Sequence, residues 1–239
     1  MERRTGWQSL EHIKRRAWRM GLRARFLLFQ RHRHNTVVLE TIAGKPILVL
    51  PEVLNPKLFA TGEFLADIIK VPTDFDKPAG SGGAVLDMGT GSGVGAVFAA
   101  QWAGHVVAVD INPAAVRCAR INALLHQVED KVEVLQGDLF EPVADRRFDV
   151  ILFNPPYFHG QPSSHFEAAL WSTDVLERFV AGLGDHLQPN GIVLLLLSSA
   201  GEEQAWLNSL ATAGYQADAV AKRDLVSEVL TIYRVRRVG

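Results

Sequence analysis

The residues best equipped for chemistry close the stretch Phe148-Asp-Val-Ile-Leu-Phe-Asn-Pro-Pro-Tyr157, an apolar run that stops in an Asn, two prolines and a Tyr. A run of this length bounded by Pro reads as a buried strand. Neither Pro155 nor Pro156 can donate to a sheet ladder, so the strand must end there. Its polar tip is then presented at a strand's carboxyl end, where open α/β sheets bind ligands. Asn154 offers an amide oxygen that accepts, and the Pro155 carbonyl is a second acceptor whose direction two rigid rings hold. Two fixed acceptors suit a planar NH2. They can take both its hydrogens and turn the nitrogen lone pair toward an electrophile, with Tyr157 as a flat face against the group. A strand closing in a rigid turn with an Asn cap accounts for the same residues equally well.

A second cluster lies upstream. Asp87-Met-Gly-Thr-Gly-Ser-Gly93 sets Gly89, Gly91 and Gly93 between an expected strand and an expected helix, where a ligand can approach the backbone and the helix's unpaired N–H groups. Twenty-three residues after Asp87, Asp110 ends the next strand, placed to accept both hydroxyls of a ribose. Together these describe a nucleoside site. The run from Gly91 to Ala96 also fits the G-x-G-x-x-A dinucleotide pattern, but the Asp87 carboxylate repels a pyrophosphate while it can pair with an ammonium group.

The elements that must position these residues alternate between strand and helix. Strands are expected over 84–87, 106–110, 131–135, 148–153 and 192–198, and helices over 93–102, 113–126, about 168–186 and 202–212. Pro113 opens the second helix with Asn112 as its cap. Two further runs, 216–221 and 228–235, have no helix between them and are expected to form an antiparallel hairpin. The sum is an α/β fold with a seven-stranded, mostly parallel sheet covered on both faces. Upstream, 36–42 and 47–50 flank Ala43-Gly-Lys-Pro46 as a hairpin, 58–70 reads as a helix, and 71–83 is a Pro-, Gly- and Asp-rich linker. Three parts follow: an arm over 1–34, a hairpin and helix over 35–80, and the core domain over 81–239.

Composition bounds the remaining classes. A chain of 239 residues with 48% hydrophobic and 21% charged residues has ample length and apolar content for a soluble globular core. The net charge of -1 is unevenly spread, since residues 1–34 carry ten Lys or Arg against two Glu. There Trp7, Leu10, Ile13, Ala17 and Met20 recur at helical spacing beside Arg15, Arg19 and Arg23, which predicts a basic amphipathic helix for an anionic surface, RNA or the chain's own catalytic domain. One cysteine, Cys118, excludes an internal disulfide and is expected as a buried thiol. The histidines show no metal-ligand spacing, so no metal is expected. No apolar run has the length of a membrane span and no secretory signal pattern is present, which points to the cytoplasm.

These residues resemble the class I S-adenosylmethionine-dependent methyltransferases, a Rossmann-like fold, over nearly everything from Thr36 to Arg237. Asp87-x-Gly-x-Gly-x-Gly93 matches their cofactor loop, Asp110 their ribose-binding acid, and Gly137-Asp138-Leu-Phe their adenine-contacting turn. Asn154-Pro-Pro-Tyr157 is similar to the signature of the amino-methylating branch, which includes release-factor glutamine methyltransferases and adenine-N6 and guanine-N2 RNA methyltransferases. The resemblance implies a cofactor set of Thr61, Asp87, Gly89, Thr90, Gly91, Gly93, Asp110, Ile111, Asp138, Leu139 and Asn154, with S-adenosylmethionine as the cofactor. It implies a catalytic set of Asn154, Pro155, Pro156 and Tyr157, with Tyr157 or Phe158 against the flat face of the acceptor. The implied partner is RNA or a protein such as a translation factor. Two departures stand out. Only about one helix precedes the hairpin, where the glutamine enzymes carry a sizeable helical domain, and their Pro-Arg segment near the cofactor is Pro56-Lys57 here. A non-catalytic module that binds RNA or an anionic surface through residues 1–34 is the competing expectation.

Overall fold

The structure, a computed structural model, describes residues 36–58, 60–70, 82–225 and 228–238. The expected basic helix over 1–34 and nearly all of the linker lie outside the described residues. A seven-stranded sheet forms the centre, in the spatial order β10-β11-β9-β6-β3-β4-β5. Its strands are β3 (Ala84–Met88), β4 (His105–Asp110), β5 (Val132–Gln136), β6 (Phe148–Phe153), β9 (Leu187–Ser198), β10 (Tyr215–Leu225) and β11 (Glu228–Arg237). The ladders joining β5, β4, β3, β6 and β9 are parallel, while β11 lies antiparallel between β9 and β10. The expected C-terminal hairpin is therefore present, with its second strand inserted beside β9.

Alternation along the strands builds two cores, because successive side chains leave a strand on opposite faces. Val85, Val106, Ala108, Val150, Leu152, Leu194 and Leu196 face one side. There they meet the apolar faces of α1 (Thr61–Ile69), α2 (Val94–Ala99) and α3 (Pro113–Leu125). Leu86, Met88, Val107, Val109, Ile151, Phe153, Val193 and Leu195 face the other, against α5 (Val175–His186) and α6 (Glu203–Thr212). On that side Phe153 packs on Phe179 with ring centroids 4.5 Å apart, and Trp206 meets both rings edge-on. Fully burying a ring such as Phe179 stabilises the fold by about 2–3 kcal/mol. This cluster supports the last strand residue before Asn154.

The upstream hairpin, β1 (Val38–Ile42) and β2 (Lys45–Val49), joins the first of these cores through Ile42, Ile47 and Val49. Its turn is shorter than expected. Ala43 and Gly44 alone make it, at φ of 44° and 85°, as a two-residue type I′ turn requires, so Pro46 falls inside β2 opposite Thr41. The side of α3 closes the outer edge of β2. Asn122, fully buried, accepts from the Leu48 amide and donates to the Leu48 and Ser92 carbonyls, and Cys118 Sγ lies 3.2 Å from the same Leu48 oxygen. Burial pushes the Cys118 thiol up to about 11, as an inert core cysteine should show.

Two helices differ from expectation. α1 begins at Thr61 rather than near residue 58, because Ala60 is held left-handed at φ 57° and the Asn55 side chain accepts from the amides of Lys57 and Leu58. The expected helix from about 168 to 186 is broken into α4 (His165–Ala168), the short strand β8 (Trp171–Ser172) and α5. β8 lies parallel to β7 (Phe158–His159), and Ser172 Oγ accepts from the Asp174 and Val175 amides, a local bond that competes with helix. No described helix is long and apolar enough to cross a membrane.

Candidate active site

A cleft opens at the carboxyl ends of β3, β4 and β6. There the chain order reverses, β4 and β5 lying on one side of β3 and β6 and β9 on the other, which is where such sheets bind ligands. Of the residues singled out from the sequence, Thr61, Asp87, Gly89, Thr90, Gly91, Asp110, Ile111, Asp138, Leu139, Asn154, Pro155, Pro156 and Tyr157 all line it. Gly93 does not. Its φ of 82° and a would-be Cβ only 2.9 Å from the Ala119 Cα show that it lets α2 approach α3, away from the cleft.

Carboxylates hold the glycine loop from within. Asp87, 4% exposed, accepts from the Thr90 hydroxyl at 2.5 Å and the Ala96 amide at 2.8 Å through one oxygen. Burial raises its pKa to about 6, against the lowering effect of those two bonds, and the nearby Asp110 charge adds to the rise. Asp110 accepts from the Gly91 amide at 2.8 Å with one oxygen and from the Asn112 amide at 2.9 Å with the other. Asn112 in turn caps α3 at the Ala114 amide and donates to the Glu52 carbonyl, which ties the upstream segment to the cleft wall.

The same geometry tests the fit of a nucleoside cofactor. Gly89 and Gly91 lie at φ of 63° and 55°, and a Cβ at Gly91 would meet nothing nearer than the Gly89 carbonyl at 4.0 Å, so the loop backbone faces open space. The Asp110 carboxylate lines the cleft at the end of β4, and a carboxylate is the group that accepts from a pair of hydroxyls. Ile111, 41% exposed, gives an apolar surface beside it. Asp138 stands across the cleft with one oxygen paired to Arg178 at 2.8 Å, next to Leu139 at a left-handed φ of 49°. These residues fit such a group.

Hydroxyls hold the β6 end of the cleft. Tyr157 donates to Asn154 Oδ1 at 2.6 Å, and Asn154 Nδ2 lies 3.4 Å from the Thr61 hydroxyl, which is itself 2% exposed at the start of α1. The Tyr157 ring packs against the sheet core on the α1–α3 side, and burial with the Glu228 charge raises its phenol far above the ordinary range. Phe158, by contrast, is 36% exposed and tilted against Trp171 at 5.7 Å. Glu52, Val53, Leu54 and Pro56 form another wall of the cleft with α1, and of these Pro56 belongs to the segment that the resemblance puts near the cofactor. Among the described residues, no three His, Cys, Asp or Glu side chains converge as metal ligands.

The sheet order and a cleft at the strand ends that closes in Asn-Pro-Pro-Tyr define the class I methyltransferase architecture. The chain belongs to the methyltransferase small domain family, whose model matches residues 64–222. It is 34% identical over 163 residues to a Methanocaldococcus jannaschii protein provisionally named a protein N5-glutamine methyltransferase, covering 64% of this chain and 81% of that one. With a release factor glutamine methyltransferase of Geobacter sulfurreducens it shares 28% identity over 191 residues, covering 74% of this chain but 63%, less than two thirds, of the relative. The ribosomal protein L11 methylase of Lactobacillus delbrueckii superposes with a TM-score of 0.58 at 20% identity, over 80% of this chain and 84% of that one, and shares the fold.

Proposed function

We propose that this methyltransferase uses S-adenosylmethionine to methylate the nitrogen of a planar amino group, and that the acceptor is the side-chain amide of a glutamine in a polypeptide. The observation that carries the reading is the Asn154 carboxamide at the end of β6, facing the cleft beside Pro155. Bound there, the cofactor supplies an electrophilic methyl group on a positively charged sulfur. The glycine loop and Asp87 would hold its amino-acid end, Asp110 its ribose, and Ile111, Asp138 and Leu139 its base. Asn154 Oδ1, with a lone pair left after the Tyr157 bond, and the Pro155 carbonyl would take the two N–H hydrogens of the acceptor. That grip leaves the nitrogen lone pair as the group facing the methyl. Positioning supplies most of the rate, since the extra proton can leave to water after transfer.

The likeness to glutamine methyltransferases favours the polypeptide amide. An exocyclic amine of an RNA base is the second reading, favoured by the exposed Phe158 ring as a stacking face and by the ten basic side chains of residues 1–34. The intact Asn154-Pro-Pro-Tyr157 motif speaks against a binding module without activity. Labelled methyl transfer into a cell extract, split into protease-sensitive and nuclease-sensitive fractions with Asn154→Ala as control, tests the proposal. Label in the protease-sensitive fraction that vanishes with the variant is expected. Label confined to the nuclease-sensitive fraction would move the acceptor to RNA, and no label in either would refute the activity in that extract.

A further inference from the structure

Asn154 poses a problem that the motif alone does not solve. Its carboxamide has two ends of nearly the same shape, and only the oxygen can accept an N–H hydrogen. Turned over, the side chain would set its own NH2 against the acceptor's, donor against donor. We propose that the Tyr157 hydroxyl decides which end faces the acceptor, and that Tyr157 is thus a positioning residue acting through Asn154; the inference rests on the amino-group reading above.

Three side chains meet here, with Asn154 between the other two. Tyr157 Oη lies 2.6 Å from Asn154 Oδ1, a separation ordinary for O–H···O and short for N–H···O. Asn154 Nδ2 lies 3.4 Å from Thr61 Oγ1, so a hydroxyl stands at each end of the carboxamide. Two hydroxyls could in principle serve either orientation of the amide, since each both donates and accepts. Their unequal chemistry removes the symmetry. A phenol is a better donor and a poorer acceptor than an aliphatic hydroxyl, and an amide oxygen is the best acceptor of the set. The favoured arrangement therefore runs from phenol to amide oxygen and from amide nitrogen to threonine hydroxyl. Burial and the Glu228 charge keep the phenol proton in place by raising its pKa, so the donor persists at any ordinary pH. The backbone carries the same device, because Thr61 opens α1 while Asn154 and Tyr157 flank the two prolines.

Tyr157→Phe keeps the ring and its packing and removes only the donor. With a methylated acceptor in hand, it is expected to lower kcat by about 10- to 100-fold. Acceptor KM and cofactor Kd are expected to stay within about threefold, since neither the pocket wall nor the cofactor contacts change. In an Asn154→Asp background, whose two carboxylate oxygens are equivalent, the same Tyr157→Phe change is expected to cost less than about threefold of the remaining rate. Equal losses in both backgrounds would reduce Tyr157 to a packing residue, and no loss in either would overturn the assignment outright. A second readout does not depend on activity. The side-chain amide resonances of Asn154 are expected as one set in the wild type, and as a doubled or exchange-broadened set in Tyr157→Phe. Unchanged resonances would sink the inference even if the protein-amide reading holds. A wild type that methylates no amino acceptor, with the doubled resonances present, would fail the function and leave the orienting role standing.

Discussion

On the β3–β4 side of the cleft, carboxylates hold backbone; on the β6 side, hydroxyls hold a side chain. Asp87 and Asp110 between them fix the amides of Gly91, Ala96 and Asn112, so this wall, which holds the cofactor in the proposed function, is a stretch of main chain whose shape does not depend on one rotamer. The β6 end, the acceptor end of the proposed function, rests on a single carboxamide steadied by Tyr157 and Thr61. The first arrangement suits a ligand that must be bound the same way in every turnover. The second concentrates the geometry of the reacting nitrogen in one group, where a small displacement costs rate and little binding.

The largest break in that contrast is Asn154→Ala. It is expected to lower kcat by about 10²–10³-fold while cofactor affinity changes less than about threefold, as for the loss of an oriented polar group in an active site. Turnover and calorimetry on one preparation check it, and parallel losses in both would mean that the β6 end also shapes the cofactor wall. Asp110→Ala should do the reverse. Removing the carboxylate loosens Gly91 and takes away the hydroxyl acceptors, so cofactor Kd should rise about 10- to 100-fold with kcat at saturation little changed.

A pH series sharpens the same comparison. Asp87 must be ionised to attract a cationic ligand, so cofactor affinity should weaken as pH falls through about 6, by up to roughly tenfold per unit. In Asp87→Asn the profile should be flat. Stability runs the other way: a carboxyl whose pKa is raised on folding contributes most below its unfolded value of 3.8, and that contribution is lost as pH rises through about 6. Calorimetric titrations between pH 5 and pH 8 decide the first point, and the second shows in thermal melts of the two proteins between pH 4 and pH 7. The smallest effect is expected at Arg223, which joins β10 to α1 by pairing with Asp67 at 2.9 Å and lying over the Phe64 ring at 4.7 Å. These groups are about one-third exposed, so Arg223→Ala should cost only about 1 kcal/mol in a melt, with a small fall in turnover if the start of α1 shifts Thr61.

The strands of the sheet were legible because five of them are apolar runs closed by loops rich in Gly, Pro or Asp, and the Asp87, Asp110 and Asn154 positions follow from where those runs end. What escaped was set by contacts distant in sequence. Asn122 looks like any polar residue in a helix, yet its amide closes the edge of β2, 74 residues away. Within the segment from Glu52 to Pro56, the resemblance places Pro56 near the cofactor, while the fold adds Glu52, Val53 and Leu54 to the cleft wall. Gly93 belongs by pattern to the cofactor loop and by geometry to a helix contact. The break before α5 depends on the Ser172 hydroxyl and on a two-residue ladder with β7, neither of which has a periodic signature. The sequence draws attention to the Tyr157 ring, and the structure adds its hydroxyl, which donates to Asn154 Oδ1 at 2.6 Å.

The central claim is that the cleft presents a planar amino nitrogen to a methyl donor. Fragmentation mass spectrometry of the methylated product, which assigns the added group to an atom, tests it most directly. The account predicts methyl on the side-chain amide nitrogen of a glutamine. Methyl on an oxygen, a carbon or a ring nitrogen would contradict it, because none of those offers Asn154 and Pro155 two hydrogens to hold.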